Sequence, residues 1–561
     1  MKKLRVIILL ILFSTVLNAQ ETVLEWSNSI GGTGADFSAS ITIDNLGNTY
    51  VTGNFSGTVD FDPSFSVFNL TSNGADDIYI QKLDPNGNFV WAKSLGGTSF
   101  DRGNAITTDS FGNVYVAGYF QLTADFDPGA SSFNLSSNGL QDAFLLKLDS
   151  SGDFILARAF GSAGSNWFWG LNIDLNGDII LSGLFADLVD FDPSASTFFM
   201  DSGSSAEQDV VILKLDSNAD FLWAKQIDGL ESDENWSNTT DDLGNIYITG
   251  NFKGTTNFDP NNSDFSLTSN GDFDAFVLKL NTSGNFLWAK SIGGNLLDKG
   301  YSIKSKGSNV YLSGRFESTV DFDPNASIFN MTSNGGYDSF VLKLNSEGDF
   351  IWAKSTGGSS QDLGRGLSID SAGSIYVTGS FGGTVDFDPN NSVNNLTSNG
   401  NEDIFIQKLD SDGNLMYAQS FGGALFDQGY SIAFDNLDNL HLTGIYQDVV
   451  DFDPSSSVFN MTSNGDSDVF VLKLSQLGLG LVENNFLKTI EIYPNPVKDM
   501  LTINSKQPID HVIIYSLLGQ KVVSYKDLAN NKIDISNFSK GLYILTAEIN
   551  GAIQSIKFVK E

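Results

Sequence analysis

Short runs of alternating apolar and polar residues divide this chain, and clusters of Asp, Asn, Gly and Ser separate them. In the first complete set, Ser40-Ile41-Thr42-Ile43 begins a strand, termed a, and the turn Asp44-Asn45-Leu46-Gly47-Asn48 leads to strand b at Tyr50-Val51-Thr52-Gly53. A long loop containing Ser72-Asn73-Gly74 reaches strand c at Ile78–Leu83, and Asp84-Pro85-Asn86-Gly87-Asn88 connects it to strand d at Phe89–Lys93. Period-two alternation is the pattern of half-buried strands, and Asp, Asn and Gly tolerate the positive φ of tight hairpins. The pattern predicts four antiparallel strands per unit.

The unit recurs. Asp-Phe-Asp-Pro stands in its b–c loop at 60–63, 125–128, 190–193, 257–260 (with Asn257 in first place), 321–324, 386–389 and 451–454, at steps of 65, 65, 67, 64, 65 and 65 residues. Seven four-stranded copies predict an all-β chain folded as a seven-bladed β-propeller. After the seventh strand c, Val469–Leu474, no strand d follows, yet Val23-Leu24-Glu25-Trp26-Ser27-Asn28 carries the strand d pattern, with Gly31-Gly32 after it. The N-terminal strand is therefore expected to complete the last blade, because an open array would leave an edge unpaired. Asp-Ser-Phe-Gly-Asn-Val-Tyr-Val-Ala-Gly (109–118) and Ala-Phe-Val-Leu-Lys-Leu (275–280) resemble the signature of the seven-bladed propeller repeat family (SBBP-type) of bacterial exported proteins. The resemblance covers 23–474 and implies a fold rather than a ligand.

Both ends differ from the repeats. Residues 1–19 have the form of a secretory signal peptide: Lys2, Lys3 and Arg5, an apolar Val6–Phe13, and Leu17-Asn18-Ala19 before the cleavage point. The propeller is expected over 20–474 and a linker over 475–489. Over 490–561, strands at Leu501–Ile503, His511–Tyr515, Lys521–Val523, Leu542–Ala547 and Ser555–Val559 predict a small immunoglobulin-like β-sandwich. Tyr493-Pro494-Asn495-Pro496, Leu517–Val522, Gly541-Leu542-Tyr543 and a tail ending at Lys560 resemble the C-terminal sorting domain of the type IX secretion system of Bacteroidetes-type bacteria. That resemblance implies the secretion machinery as a partner, a secreted or outer cell-surface location, and removal of the tail with release or anchoring to lipopolysaccharide.

Charge and composition narrow the partners. The formal net charge of −36 becomes about −39 without the three signal cations, which disfavours nucleic acid and anionic membranes. No apolar run is long enough for a transmembrane span. The chain has no cysteine, and its two histidines, His441 and His511, lie in strands and are read as structural. A monomer is expected.

The long b–c loops share a face with the d–a loops, and that face is rich in carboxylates. Asp60, Asp62, Asp125, Asp127, Asp190, Asp192, Asp259, Asp321, Asp323, Asp386, Asp388, Asp451 and Asp453 are candidate calcium ligands, calcium being the one cofactor considered. Their plainer role is to cap turns by accepting backbone N–H bonds, which sevenfold repetition favours. The turns at 84–88 and 410–414 share part of an EF-hand pattern but lack its length and final Glu.

Departures from symmetry point to a ligand. One column near the start of strand a reads Ala39, Asn104, Trp169, Trp236, Tyr301, Arg365, Tyr430; two positions earlier it reads Phe37, Arg102, Trp167, Glu234, Lys299, Leu363, Gln428. Trp167, Trp169, Trp236, Tyr301, Arg365 and Tyr430, with Asp233 and Glu234, form a candidate surface for a glycan or protein; packing around a central channel is the plainer reading. The leading expectation is a non-enzymatic binding or adhesion protein. The alternatives are a polysaccharide-cleaving enzyme using Glu231, Asp233 or Glu234, and a passive envelope or matrix component.

Overall fold

In the first unit, strand a is Phe37–Ile43, b is Thr49–Asp60, c is Asn69–Leu83 and d is Phe89–Gly97, paired antiparallel in the order a-b-c-d. The a–b hairpin forms because Asp44 Oδ1 accepts the N–H groups of Leu46 and Asn48, each at 2.9 Å, while Gly47 takes φ +84°. The computed structural model describes residues 22–203, 208–229, 231–261, 263–390, 392–476, 490–505, 509, 511–516, 521–526, 531–549 and 552–561. The signal peptide, most of the linker and Leu517–Gln520 lie outside the described residues.

Seven such four-stranded sheets occur among the described residues. The remaining a strands are Arg102–Thr108, Trp167–Ile173, Glu234–Thr240, Lys299–Lys306, Asp362–Ile369 and Gln428–Phe434. Each a strand touches those of the units before and after it, and Gln428–Phe434 touches Phe37–Ile43, so the innermost strands form a closed circuit.

The seventh sheet is completed from the N-terminus. Thr22–Ile30 pairs antiparallel with Asp468–Gln476, with Trp26 opposite Lys473 and a register shift between Leu24 and Trp26. Trp91 opposes Lys82 in the first unit, beside the same kind of shift. Because Thr22 pairs with Gln476, the seventh strand c runs two residues into the segment read as linker.

Apolar alternation places the core between sheets. Val469 and Val471 of the last unit pack with Ile41, Val51 and Tyr79 of the first, and similar buried clusters join the successive units. The Phe of each Asp-Phe-Asp-Pro, from Phe61 to Phe452, is fully buried. Burying each such ring contributes roughly 1.5–3 kcal/mol. Lys82 Nζ and Trp91 Nε1 of the first unit both donate to Ser150 O of the second, at 2.9 and 3.3 Å. Trp26 Nε1 and Lys473 Nζ do the same at Pro85 O, at 3.2 and 3.3 Å.

The long b–c connection is a hairpin arm rather than a loop. Thr58–Asp60 pairs with Asn69–Thr71, and Thr58 and Thr71 join through their hydroxyls at 2.8 Å. Val59 is buried and Leu70 half-buried on the inner side of the arm. The first strand d then pairs with the next arm, Gly96 opposite Asp125.

The C-terminal unit has one sheet of Ile490–Tyr493, Met500–Ser505 and Lys532–Asp534, and another of Lys521–Lys526, His511–Ser516, Gly541–Ile549 and Ala552–Lys560. Leu501, Ile503 and Ile533 share a core with Val512, Ile514, Leu545 and Phe558.

Candidate functional site

Every a strand carries a β-bulge at the same place. The pairing with strand b shifts at Ala39, Asn104, Trp169, Trp236, Tyr301, Arg365 and Tyr430, one residue in each unit. A bulged residue is left out of the ladder, and its side chain is re-aimed. Here all seven are aimed into one cavity enclosed by the a strands. The variable column of the sequence is thus a ring of bulges.

The larger side chains of this ring touch in sequence. Trp169 and Trp236 lie 4.8 Å apart between ring centres, and Trp236 and Tyr301 5.3 Å, edge to face. The Arg365 guanidinium sits over the Tyr301 and Tyr430 rings at 5.6 and 4.4 Å. Where the bulge residue is small, as at Ala39 and Asn104, the residue two positions earlier substitutes: Phe37 meets Tyr430 at 4.5 Å, and Arg102 lies over Phe37 and Trp169 at 4.0 and 5.5 Å. Phe37, Arg102, Trp169, Trp236, Tyr301, Arg365 and Tyr430 form a closed girdle, one residue per unit. Each aromatic pair contributes about 0.5–1.5 kcal/mol, and each cation–π contact about 0.5–2 kcal/mol where desolvated.

The girdle lines a cavity of about 360 Å³. Next comes a layer of small residues: Ser40, Ala105, Gly170, Ser237, Ser302, Gly366 and Ser431. The layer beyond it is Thr42, Thr107, Asn172, Thr239, Lys304, Ser368 and Ala433. Among the described residues, the charged groups lining the cavity are Arg102, Lys304 and Arg365, and no carboxylate lines it. Burial lowers both the Lys304 ammonium and the Arg102 guanidinium from their ordinary values, and the Arg365 charge lowers Arg102 further. Arg365 donates to Gln428 Oε1 at 3.2 Å; buried Arg102 Nε has no hydrogen-bond partner. Burial raises the Tyr301 and Tyr430 phenols. Lys304 escaped the sequence analysis. Its signal is a lone lysine in a column of Thr, Asn, Ser and Ala.

Three of the candidate ligand residues lie outside this cavity. Trp167 Nε1 donates to Gln141 Oε1 at 2.8 Å, and its ring lies 5.7 Å from Tyr119. Glu234 is engaged with Lys299 at 2.7 Å. Asp233 is buried, accepting from Thr256 Oγ1 at 3.2 Å and Lys253 N–H at 3.4 Å. Burial, with the Asp209 charge, pushes it up to about 8. Its counterparts Asp36, Asp101, Asp298, Asp362 and Asp427 are also buried, each clamping two backbone N–H groups, and are pushed up to about 6 or 7 by burial. The raised value therefore belongs to a repeated structural position. Glu231 lies 3.9 Å from exposed Lys253.

The Asp-Phe-Asp-Pro carboxylates organise the arms. Asp60 Oδ1 accepts the N–H groups of Asp62 and Phe68 at 3.1 and 2.8 Å, and Asp62 Oδ1 that of Ser64 at 2.9 Å. The first aspartates Asp125, Asp190, Asp321, Asp386 and Asp451 repeat the Asp60 clamp. The third-position residues Asp127, Asp192, Asp259, Asp323, Asp388 and Asp453 each take an N–H two residues on. Asn257 Oδ1 makes the same clamp at 3.1 and 3.0 Å with a neutral amide. Among the described residues no group of three or more His, Cys, Asp or Glu is arranged around a metal-sized site. His441 is buried, its Nδ1 3.0 Å from Thr49 Oγ1, and His511 Nε2 is 2.7 Å from Ser524 Oγ.

In the C-terminal unit, Asn495 Oδ1 accepts the N–H of Val559 at 2.9 Å and Asn495 Nδ2 donates to Lys557 O at 3.2 Å. The Tyr493–Pro494 and Asn495–Pro496 bonds that flank it are cis. Gly541 pairs with Lys560 across the last two strands.

Comparison with known proteins matches these two parts. Residues 25–54 and 90–119 match the family described as a beta-propeller repeat, and residues 491–561 the family described as a secretion system C-terminal sorting domain. The chain thus carries β-propeller repeats and a type IX sorting domain, and the latter places it at the cell surface or outside the cell. It is 23% identical to an uncharacterised WD repeat-containing protein of Acanthamoeba polyphaga mimivirus over 78% of this chain and 36% of that protein. It is 29% identical to a regulatory protein of Caulobacter vibrioides over 28% of this chain and 16% of that protein. The chain thus spans about a third or less of these relatives. Among solved structures, a protein of unknown function from Bacteroides caccae is 10% identical with a TM-score of 0.32, covering 61% of this chain and 89% of its own. A gluconolactonase from Xanthomonas campestris is 12% identical with a TM-score of 0.28, covering 65% and 90%. Similarities this slight carry no argument about function.

Proposed function

We propose that this protein is an exported, non-enzymatic binding or adhesion protein. Its repeats form a seven-bladed propeller closed by the N-terminal strand, and its immunoglobulin-like C-terminal sandwich is the part handled by the secretion machinery. The ligand site is the girdled mouth of the central cavity, and the ligand is a glycan. One observation carries this reading: seven near-identical units present, at one bulge, side chains that differ from unit to unit. Packing alone would be satisfied by repetition, as the Asp-Phe-Asp-Pro rings are. Aromatic faces beside polar groups suit the apolar and hydroxylated sides of a sugar. The engagement of Glu234 with Lys299 and the structural position of Asp233 support binding over paired-carboxylate hydrolysis. No cofactor is required; the neutral clamp at Asn257 supports turn capping for the acidic loops in preference to calcium ligation.

Glycan-array binding by the full chain is the test. Binding that disappears in a Trp169→Ala/Trp236→Ala double variant agrees with the proposal. Binding that survives moves the site elsewhere, and a silent array leaves a passive envelope component. Release of products from a polysaccharide panel, abolished by Glu234→Gln, would replace binding with catalysis.

A further inference from the structure

The lining of the central cavity has the wrong sign for this protein. The chain carries a net charge of −36, yet the charged groups that line the cavity among the described residues are Arg102, Lys304 and Arg365. None of the three takes part in an ion pair among the described residues, although the Arg102 charge reaches Asp76. Leaving cations together without a counter-charge is unfavourable, and a desolvated cation is the more so. Three cations lining one cavity, with no carboxylate among its lining residues, suit an anionic group brought in from outside.

The rest of the lining describes that partner. Lys304 shares its layer with Thr42, Thr107, Thr239 and Ser368, which carry hydroxyls, and with Asn172, which carries an amide. Such groups donate to an anion and also exchange hydrogen bonds with sugar hydroxyls. The girdle adds aromatic faces, and buried Arg102 Nε is an unused donor there. A cavity of about 360 Å³ suits a single sugar unit better than a folded chain.

Resting on the binding reading above, we propose that the cavity binds an acidic sugar unit drawn by its positive lining of Arg102, Lys304 and Arg365, with its carboxylate or sulfate towards Lys304 and its ring towards the girdle. Lys304 is the specificity-determining residue. Because equivalent positions are Thr42, Thr107 and Thr239, Lys304→Thr restores the commonest residue of the repeat and is expected to fold.

The test is calorimetric titration of the full chain with glucuronate, galacturonate, glucose 6-sulfate, glucose, galactose and inorganic sulfate. The expected result is binding of at least one acidic sugar, at least tenfold stronger than its neutral counterpart and weakened by salt. Lys304→Thr should lower that affinity at least tenfold. Arg365→Tyr, which copies Tyr301 and Tyr430, should lower it as well and serves if Lys304→Thr fails to fold. Uronates binding without glucose 6-sulfate identify the carboxylate, and the converse the sulfate. Equal binding of neutral and acidic sugars, unchanged in Lys304→Thr, overturns the acidic specificity while leaving the glycan reading intact. Binding of inorganic sulfate alone overturns the sugar part. Absence of any binding overturns the proposal, and the array result with Trp169→Ala/Trp236→Ala then decides the broader reading separately.

Discussion

The fourth unit performs a natural substitution from which the role of the acidic loops can be measured. Asp321 Oδ1 accepts the N–H groups of Asp323 and Phe329 at 3.1 and 2.8 Å, and Asn257 does the same for Asp259 and Phe265. If the clamp is all that matters, Asp321→Asn leaves stability within about 0.5 kcal/mol of the parent. Asp321→Ala strands two backbone donors at about 1 kcal/mol each, a loss of about 2 kcal/mol. The entropy of unfolding is about 2.1 cal/mol/K per residue, or about 1 kcal/mol/K for a repeat region that ends at Gln476, so the melting temperature should fall by about 2 °C. Scanning calorimetry of the full chain at pH 7, with calcium and then with chelator, reads both variants. Turn capping by the side-chain oxygen alone is refuted if Asp321→Asn falls as far as Asp321→Ala. It also fails if calcium raises the parent by several degrees and leaves the Asn variant unmoved, since that marks a cation bound to the native carboxylates.

Closure by the N-terminal strand makes Trp26 equivalent to Trp91, both half-buried, so Trp26→Ala and Trp91→Ala should each cost about 2 kcal/mol in thermal melts; a harmless Trp26→Ala beside a damaging Trp91→Ala would show a loose end strand. The buried aspartates predict an unusual pH profile. Asp36, Asp298 and Asp338 are pushed up to about 7 and Asp233 to about 8 by burial, against an ordinary value of 3.8. The folded state then holds more protons than the unfolded one between about pH 4 and 8, and stability is lost as pH rises through 7 to 8. Melting temperature should therefore be higher at pH 5 than at pH 8, and a flat or opposite trend counts against it. Asn495→Ala removes two bonds to the last strand and should lower the stability of the C-terminal unit by about 2 kcal/mol; unchanged amide exchange at Val559 would refute that role.

Much of this was legible because it is local and repeated. The Asp-Phe-Asp-Pro interval, the turn residues and the displaced strand d need only the chain order, and Trp26 does pair with Lys473 as Trp91 pairs with Lys82. The b–c arm was hidden because its strands, Thr58–Asp60 and Asn69–Thr71, offer three residues each to a period-two pattern. Trp167 and Trp169 are neighbours in sequence, but the bulge aims Trp169 into the cavity while Trp167 is held by Gln141.

The sequence by itself determined the repeat, its strands and hairpins, the variable column and the sorting tail, since each depends on neighbours a few residues apart or on a fixed period. The tertiary structure decided which variable residues meet. Phe37 and Arg102 join the girdle because Ala39 and Asn104 leave room, and Tyr430 reaches Phe37 because the last a strand lies beside the first. It also decided that Arg102, Lys304 and Arg365, 61 to 263 residues apart in an acidic chain, line one enclosure. A ring brings together positions one full unit apart, and no local pattern states what stands across its centre.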